Sequence, residues 1–522
     1  MSAESVFKKI KNVDKKLLIQ LVVVFIFPLI LCIVICAFRG LNFFKLYIPY
    51  SKDNDSLFYY KLVEGVLSPG GIKGYYGFNE NHAQIGSFAA WNPVIVLPWI
   101  VFGRLFGWNS FSPILYNVIF FSISLTAFVG LAKLNIKQTA CLLVGLALYP
   151  PLPLHLMNML PEANVASFIL LDFACVFAYI NSKKRGFLAA SLGFCIYLTM
   201  CRPYYFLLFV ITFYYYAKSK MKNWWMLPIA SMVVAVGAYL LTTKYFTAEY
   251  FEPLFSYPYM DFIKRGEIRW ALSNTYHTML DTAHSIYDYV RGGIMYGGLP
   301  SVQYAIAMLM SILLLIASIS KKNKEKSAVY WGMGLNYICV FMAILILLRK
   351  ANEGARHSFV FSLIALILLF TVEFDVRGVI RHLLIFAVLI FLATKGTYQL
   401  RSYDLSNVCA VSQDEIEALG AELKDSLVIS DSGDKYENTI AWVLVDYRGD
   451  NYMITDYHSL FAVPGAMGLN ICSYDYIVGN IDCLKSGYLA VPPGGDIDEL
   501  SQERNFTEIA RTANILIYKV DY

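Results

Sequence analysis

Blocks of about twenty apolar residues, such as Leu17 to Ala37 and Ser327 to Leu348, recur along this chain from residue 17 to residue 396. An α-helix rises 1.5 Å per residue, so roughly 20 residues cross a hydrocarbon core of about 30 Å. Lipid offers no partner for backbone N–H and C=O groups, so runs of this length cross as helices that bond internally. The runs predict eleven helices, six of them near 17 to 37, 111 to 132, 138 to 153, 163 to 180, 186 to 201 and 203 to 217. The other five lie near 224 to 243, 301 to 320, 328 to 348, 357 to 374 and 379 to 396. The first run precedes many others and has no small-residue cleavage site after it, so it reads as a crossing and not as a removed signal. A composition with 57% hydrophobic and only 16% charged residues agrees with a polytopic α-helical membrane protein.

The charges give the chain a direction. With the N-terminus (1–16) inside, the cytoplasmic ends hold Lys8, Lys9, Lys11, Lys15 and Lys16, then Lys133 and Lys137, then Lys183, Lys184 and Arg185. They continue with Lys218, Lys220 and Lys222, with Lys321, Lys322, Lys324 and Lys326, and with Arg377 and Arg381. Every short inner loop is basic, as the positive-inside rule requires, and eleven crossings carry the C-terminal segment 397–522 outside. Within the transmembrane domain (17–396), two outer loops are long, 38–110 and 245–300, and both are rich in aromatics suited to an interface. In the first, Ser56 to Leu67 reads as an amphipathic surface helix, and Pro93 to Phe106 as a second surface helix or a dip into the bilayer.

From Arg401 onward the chain holds 20 of its 38 acidic residues but only 8 of its 43 basic ones. Short apolar strands (Leu427 to Ser430, Tyr476 to Val478, Ile515 to Val520) and a helix at Gln413 to Leu423 predict a small extracytoplasmic α/β domain there. Seven cysteines (Cys32, Cys36, Cys141, Cys175, Cys195, Cys201, Cys339) lie in apolar runs and read as small hydrophobes, whereas Cys472 and Cys483 could pair on an oxidising side. Lys, Ile, Tyr and Phe usage and a C-terminus without an ER-retrieval signal predict a bacterial plasma membrane.

With every substantial loop outside and no Walker or Rossmann glycine signature after a strand, the chain has no place for a cytoplasmic nucleotide, and nothing in it suits nucleic acid. Chemistry on the outer face needs a donor that arrives already activated, such as a sugar on a polyprenyl phosphate. Asp53 and Asp55 stand where the chain enters the surface helix. Either carboxylate could deprotonate a hydroxyl, or the two could share a divalent cation; the same position also suits an N-cap. Glu162 opens an inward helix after a short outer loop, a place that the helix dipole favours for an acid with or without a function. Arg202 sits between apolar LTMC and PYYFLLF, where a guanidinium is expensive and takes a carboxylate or phosphate partner unless it snorkels to the interface. The segment Asn352 to His357 reads as an outer turn that brings another cation to the mouth of the bundle. His82, His277 and His284 have no metal-ligand spacing and read as loop histidines.

The order of these pieces resembles the GT-C superfamily of polyprenyl-phosphate-dependent glycosyltransferases, particularly the group with protein O-mannosyltransferases and lipid A aminoarabinose transferases. The likeness covers most of residues 15 to 400. It rests on an acid opening a surface helix in the first outer loop (Asp55 with Tyr59), on Trp91-Asn92-Pro93 ahead of Leu105-Phe106-Gly107, on Glu162, on Arg202 in LTMCRP and on Arg356. It implies Asp55 as general base, with Asp53 as fallback, Glu162 as the second-loop acid, and Arg202, Arg356 and His357 around the donor phosphate. Many relatives place a Lys before the proline-containing stretch; here Lys73, His82 or Arg104 would have to replace it. The implied reaction is a single inverting displacement onto an extracytoplasmic glycan, lipid or protein acceptor. The 245–300 loop, with Tyr257, Tyr259, Arg265 and Arg291, would close over the lipid-linked sugar or form a static cap. No cofactor is required, though Asp53, Asp55 and Glu162 could hold Mg or Mn. A polymerase or ligase using a lipid-diphosphate-linked glycan is the nearest alternative. A transporter would need mid-membrane ionisable groups and often an inverted repeat, and here Asp172 is the main such acid.

Overall fold

The computed structural model describes residues 15–46, 54–67, 76–77, 93–109, 111–219, 222–247, 255–296, 299–320, 323–372, 382, 384–391, 440–445, 468–473, 487–491, 504–511 and 516–521. Among them, six helices are long and apolar enough to cross a membrane. They are α1 (Lys15–Phe38), α4 (Ser112–Ala132), α7 (Pro161–Ser182), α10 (Met226–Phe246), α13 (Leu299–Ser318) and α14 (Ser327–Ala343) with a π-helical turn at Ile344–Leu348. Shorter helices stand between them: α2 (Asn54–Leu67), α3 (Leu97–Phe106), α5 (Ile136–Ala147), α6 (Pro151–Leu156), α8 (Gly186–Cys201) and α9 (Phe209–Lys218). After α10 come α11 (Met260–Lys264) and α12 (Ile268–Tyr296), and after α14 comes α15 (Ala351–Leu369). The protein is a mostly helical, multi-pass membrane protein.

Local chemistry explains the breaks. The helix expected at 138–153 stops at Ala147, because Pro150, Pro151 and Pro153 follow and each lacks a backbone donor. Its start is fixed by a capping box in which Asn135 and Gln138 exchange side-chain and backbone bonds. Between α8 and α9 the chain opens at Arg202, which is extended at φ −151° and ψ 127°, because Pro203 forbids helical backbone in the residue before it. The chain resumes as a 3₁₀ segment at Pro203–Leu208. Two expectations are corrected. The stretch 245–300 is no simple loop, since 29 of its residues form α12, and the turn expected at Asn352 to His357 is the opening of α15.

Helix α7 is the most enclosed of the spans, packed on α4, α8 and α15, whereas α10 leaves most of its apolar surface exposed, as a lipid-facing helix does. Asp172 in α7 is buried but not isolated, for Ser191 of α8 donates to its Oδ1 at 2.5 Å, and Ser191 also meets Thr212 of α9 at 2.7 Å. The seven cysteines of the apolar runs are free. Connections at one end of the bundle meet one another: Lys183 pairs with Glu325 at 3.6 Å, and Gln20 bonds Leu134 O and Thr139. The opposite end gathers the starts of α2, α7 and α15 and the end of α8.

A sheet of six strands has the order β1-β3-β2-β4-β6-β5. Its members are β1 (Tyr76–Gly77), β2 (Ile440–Val445), β3 (Gly468–Ser473), β4 (Gly487–Val491), β5 (Asn505–Arg511) and β6 (Leu516–Asp521). The pairs β1/β3, β3/β2 and β2/β4 are parallel, while β4/β6 and β6/β5 are antiparallel. The strand expected at Ile515 to Val520 is β6. Those at Leu427 to Ser430 and Tyr476 to Val478, the helix at Gln413 to Leu423, and Cys483 lie outside the described residues.

Candidate active site

Four side chains that the sequence singles out come together at one end of the bundle, all but one of them fully buried. Glu162, in the first turn of α7, is 0% exposed, and its Oε1 lies 2.8 Å from Arg202 Nη2 and 3.1 Å from Arg356 Nε. Arg202 Nη1 stands 2.7 Å from His357 Nδ1 and donates to the Tyr204 hydroxyl at 3.1 Å; that hydroxyl is 2.9 Å from the same Nδ1. Arg356 alone is partly open, its side chain 21% exposed.

Each member is positioned by its element. Pro161 at N1 starts α7 where Glu162 meets the positive end of the helix dipole. The break before Pro203 turns Arg202 inward at the end of α8. In α15, Arg356 and His357 are held by close packing at Gly354, where a Cβ would collide with the Tyr304 hydroxyl. Asn117 donates to Asn158 O at 2.6 Å and accepts from buried Trp99, which pins the segment ahead of Glu162.

Helix α2 reaches the same place. Met159 N donates to Ser56 Oγ at 3.3 Å, and Tyr59 is buried within electrostatic reach of Arg202. Asp55 is thus one residue from a contact with the segment that carries Glu162; its side chain, like all of Asp53 and His82, lies outside the described residues. The expected surface helix is therefore half sunk, with Tyr59, Tyr60, Leu62 and Val63 buried.

The remaining expected residues sit apart. The Tyr257 and Tyr259 hydroxyls bond Thr275 and Thr278 of α12. Arg265 is exposed beside Glu267 and over the Phe262 ring, and Arg291 is exposed on α12. Arg104 donates to Val66 O at 3.0 Å at the end of α2, and Lys73 lies outside the described residues.

Several neighbours escape a reading of residue types. His155 of α6 is buried, stacked on Phe359 at 3.7 Å, and its imidazole is held low, to about 4, by burial foremost, with Glu162 opposing and Arg356 adding. Phe255 places its ring 5.6 Å from Tyr204 and 5.5 Å from His357. The only signal for His155 is a lone polar residue inside a proline-rich apolar run, and Phe255 gives none. Glu162 Oε2, His155 Nδ1 and His357 Nε2 are buried without a hydrogen-bond partner.

Two guanidiniums on one carboxylate leave a buried charge of about +1 among these residues, with His357 neutral because it accepts from Arg202. Among the described residues no group of three or more His, Cys, Asp or Glu could hold a metal, and Glu162 Oε1 is engaged by arginines.

Fold and site together define a multi-pass membrane protein with a largely buried cluster of one carboxylate, two arginines and a histidine at one end of its helix bundle. No family model and no curated protein matches the sequence. Among solved structures the chain is similar to ArnT from Cupriavidus metallidurans bound to undecaprenyl phosphate, at 10% identity over 95% of this chain and 97% of that one, with a TM-score of 0.42. It is also similar to an Archaeoglobus fulgidus oligosaccharyltransferase tethered to an acceptor peptide containing the NVT sequon, at 10% identity over 97% and 74% of the two chains and a TM-score of 0.46. A third is AglB from Archaeoglobus fulgidus in complex with an inhibitory peptide and a dolichol-phosphate, at 11% identity over 96% and 74%, with a TM-score of 0.48. At such identities and scores neither a residue role nor a substrate passes from them to this chain.

Proposed function

We propose that this protein is a glycosyltransferase that moves a monosaccharide, a hexose or pentose, from a polyprenyl-phosphate carrier to a hydroxyl of an extracytoplasmic glycan, lipid or protein. The observation that carries this reading is the convergence of Arg202 and Arg356 on a single buried carboxylate oxygen, which gathers two guanidiniums of the kind that hold a phosphate. Glu162 serves as counter-ion and orienting partner of the two arginines, since its Oε1 is taken by them.

The acceptor hydroxyl loses its proton to Asp55 and attacks the anomeric carbon, the bond from that carbon to the phosphate oxygen breaks, and polyprenyl phosphate leaves toward Arg202 and Arg356. The configuration inverts. Tyr257 and Tyr259 fasten the segment after residue 255 to α12 and so seat Phe255 against Tyr204 and His357, while Arg265, Arg291 and His82 contact the entering substrate. A divalent cation, if one takes part, belongs to Asp53 and Asp55. Eleven crossings, a cytoplasmic segment 1–16, the site outside and a C-terminal α/β domain at 397–522 complete the proposed arrangement in a bacterial plasma membrane.

The test offers purified protein a panel of polyprenyl-phosphate sugars and follows loss of lipid-linked sugar. Asp55→Asn is expected to lower turnover by about 10²- to 10⁴-fold, the usual worth of a general base, with donor binding kept. Undiminished turnover in that variant overturns the base, and failure to bind any donor overturns the transferase.

A further inference from the structure

Asp172 stands deep in the bundle, and the chemistry proposed above does not use it. It is the twelfth of the 22 residues of α7 and 1% exposed. An ionised carboxylate at that depth takes a cationic partner. Among the described residues Asp172 has no lysine or arginine as a partner: Ser191 of α8 donates to its Oδ1 at 2.5 Å, and Cys195 Sγ lies 3.9 Å from its Oδ2. With its one proton given to Asp172, Ser191 accepts from Thr212 of α9 at 2.7 Å. All four side chains are buried. A chain of hydroxyls thus ends on a carboxyl with no cation to balance a charge, so the carboxyl keeps its proton and acts as a hydrogen-bonding group.

Its place along the helices gives this group a task. Only Lys183, Lys184 and Arg185 connect α7 to α8, so the two helices run antiparallel. Three contacts follow one another down the pair: Glu162 meets Arg202 at 2.8 Å, the Phe168 and Tyr197 rings stand 4.2 Å apart, and Asp172 meets Ser191. From Glu162 to Asp172 is ten residues and from Arg202 back to Ser191 eleven, so each interval rises roughly 15 Å and the contacts are rungs of one register. Apolar faces in lipid have no hydrophobic drive toward one register, whereas a hydrogen bond between helices selects one. A slip by one turn, about 5.4 Å, would take Ser191 from Asp172 and Arg202 from Glu162 together. We propose that Asp172 is a positioning residue for the candidate active site: as a neutral acid bonded to Ser191, it sets the register of α7 on α8 and thereby brings Glu162 to Arg202. Thr212 extends the hold to α9, so α7 is tied at one depth to both helices that flank the break at Arg202 and Pro203. The register is independent of what the site does; only the turnover readout below rests on the transferase reading.

Asparagine keeps the carbonyl that Ser191 bonds and brings no charge, whereas leucine keeps the bulk and offers no bond. Full-length protein in detergent carries Phe168→Cys with Tyr197→Cys, and the disulfide formed on mild oxidation is identified by mass spectrometry of the joined peptides. The pair should join with Asp172 intact and in Asp172→Asn, and should largely fail to join in Asp172→Leu. Without the added cysteines, turnover of a polyprenyl-phosphate sugar should stay near wild type in Asp172→Asn and fall by about 10²-fold in Asp172→Leu, the cost of displacing a positioned group by about an ångström. A loss in Asp172→Asn as deep as that in Asp172→Leu overturns the neutral acid. Full cross-linking in a folded Asp172→Leu overturns the register role, and no cross-linking with Asp172 intact overturns the register itself. Cross-linking that follows the expected order in a protein that turns over no donor overturns the transferase and leaves Asp172 its role. Should Asp172→Leu fail to fold, Ser191→Ala cuts the same bond with a residue that favours helix: reduced cross-linking there supports the proposal, and full cross-linking overturns it.

Discussion

Glu162 shows how a residue can be found by sequence and yet change its meaning. An acid at the head of an apolar helix stands out in a sequence, as do Arg202 between two apolar runs and Arg356 ahead of another, because charge is expensive there. Their mutual geometry was not legible, since 40 residues separate Glu162 from Arg202 and 155 separate Arg202 from His357. Neutral partners were invisible for a different reason: Tyr204, Phe255 and His155 look like any aromatic of a core. His155 nevertheless leaves a measurable trace. Its folded pKa, about 4, lies below the roughly 6.5 of an unfolded histidine, because burial disfavours the imidazolium. The stabilisation from keeping it neutral is therefore whole above pH 6.5 and is lost progressively as pH falls from there toward 4, by about 3 kcal/mol. Unfolding midpoints of purified protein between pH 7.5 and 4.5 should fall more steeply for wild type than for His155→Phe, which keeps a ring on Phe359 and removes the titration; parallel curves would contradict this.

At the scale of elements, apolar length was a good guide and termini were not. The long spans α1, α4, α7, α10 and α13 fall within a few residues of their expected places, because about twenty apolar residues can do little else in lipid. Helix α12 was missed because its apolar positions alternate with Ser, Thr, His and Asp, which reads as a loop until its Thr275 and Thr278 are seen to hold Tyr257 and Tyr259. The opening of α15 was missed because Asn352-Glu353-Gly354 has the composition of a turn. Gly354 serves packing instead. A methyl there would collide with the Tyr304 hydroxyl and meet Ile344 at 2.7 Å, so α15 would have to move away from α13, carrying Arg356 and His357 with it. Gly354→Ala is expected to cost about 1 to 3 kcal/mol of stability through overpacking and to weaken undecaprenyl phosphate binding at least tenfold. Adding Tyr304→Phe should recover part of both, and a single mutant with wild-type melting and binding would show that the helix pair tolerates the shift.

For the whole molecule, connectivity constrains sidedness in a way that charge counting does not. Strand β1 follows α2 in the first outer loop and pairs with β3, near the other end of the chain, through Tyr76 with Leu469 and Gly77 with Asn470. Two paired strands lie on one side of a bilayer, so the chain must cross an even number of times between residue 77 and the sheet. The sequence predicts ten apolar segments after the first helix, an even number, while six helices in all are long and apolar enough to cross among the described residues. Contacts at the two ends of the bundle agree, with Ser56, Glu162, Arg202 and Arg356 gathered at one and Lys183 and Glu325 at the other. The sequence could supply the parity but not the pairing, since a two-residue strand carries no pattern. If the basic end is cytoplasmic, a membrane-impermeant maleimide applied to intact cells should label Lys264→Cys, at the exposed end of α11, and reach Lys184→Cys only after lysis. Labelling of both in intact cells would break the parity. Labelling of Lys184→Cys alone would invert the orientation, put the arginine cluster on the cytoplasmic side and remove the reason for a lipid-carried donor.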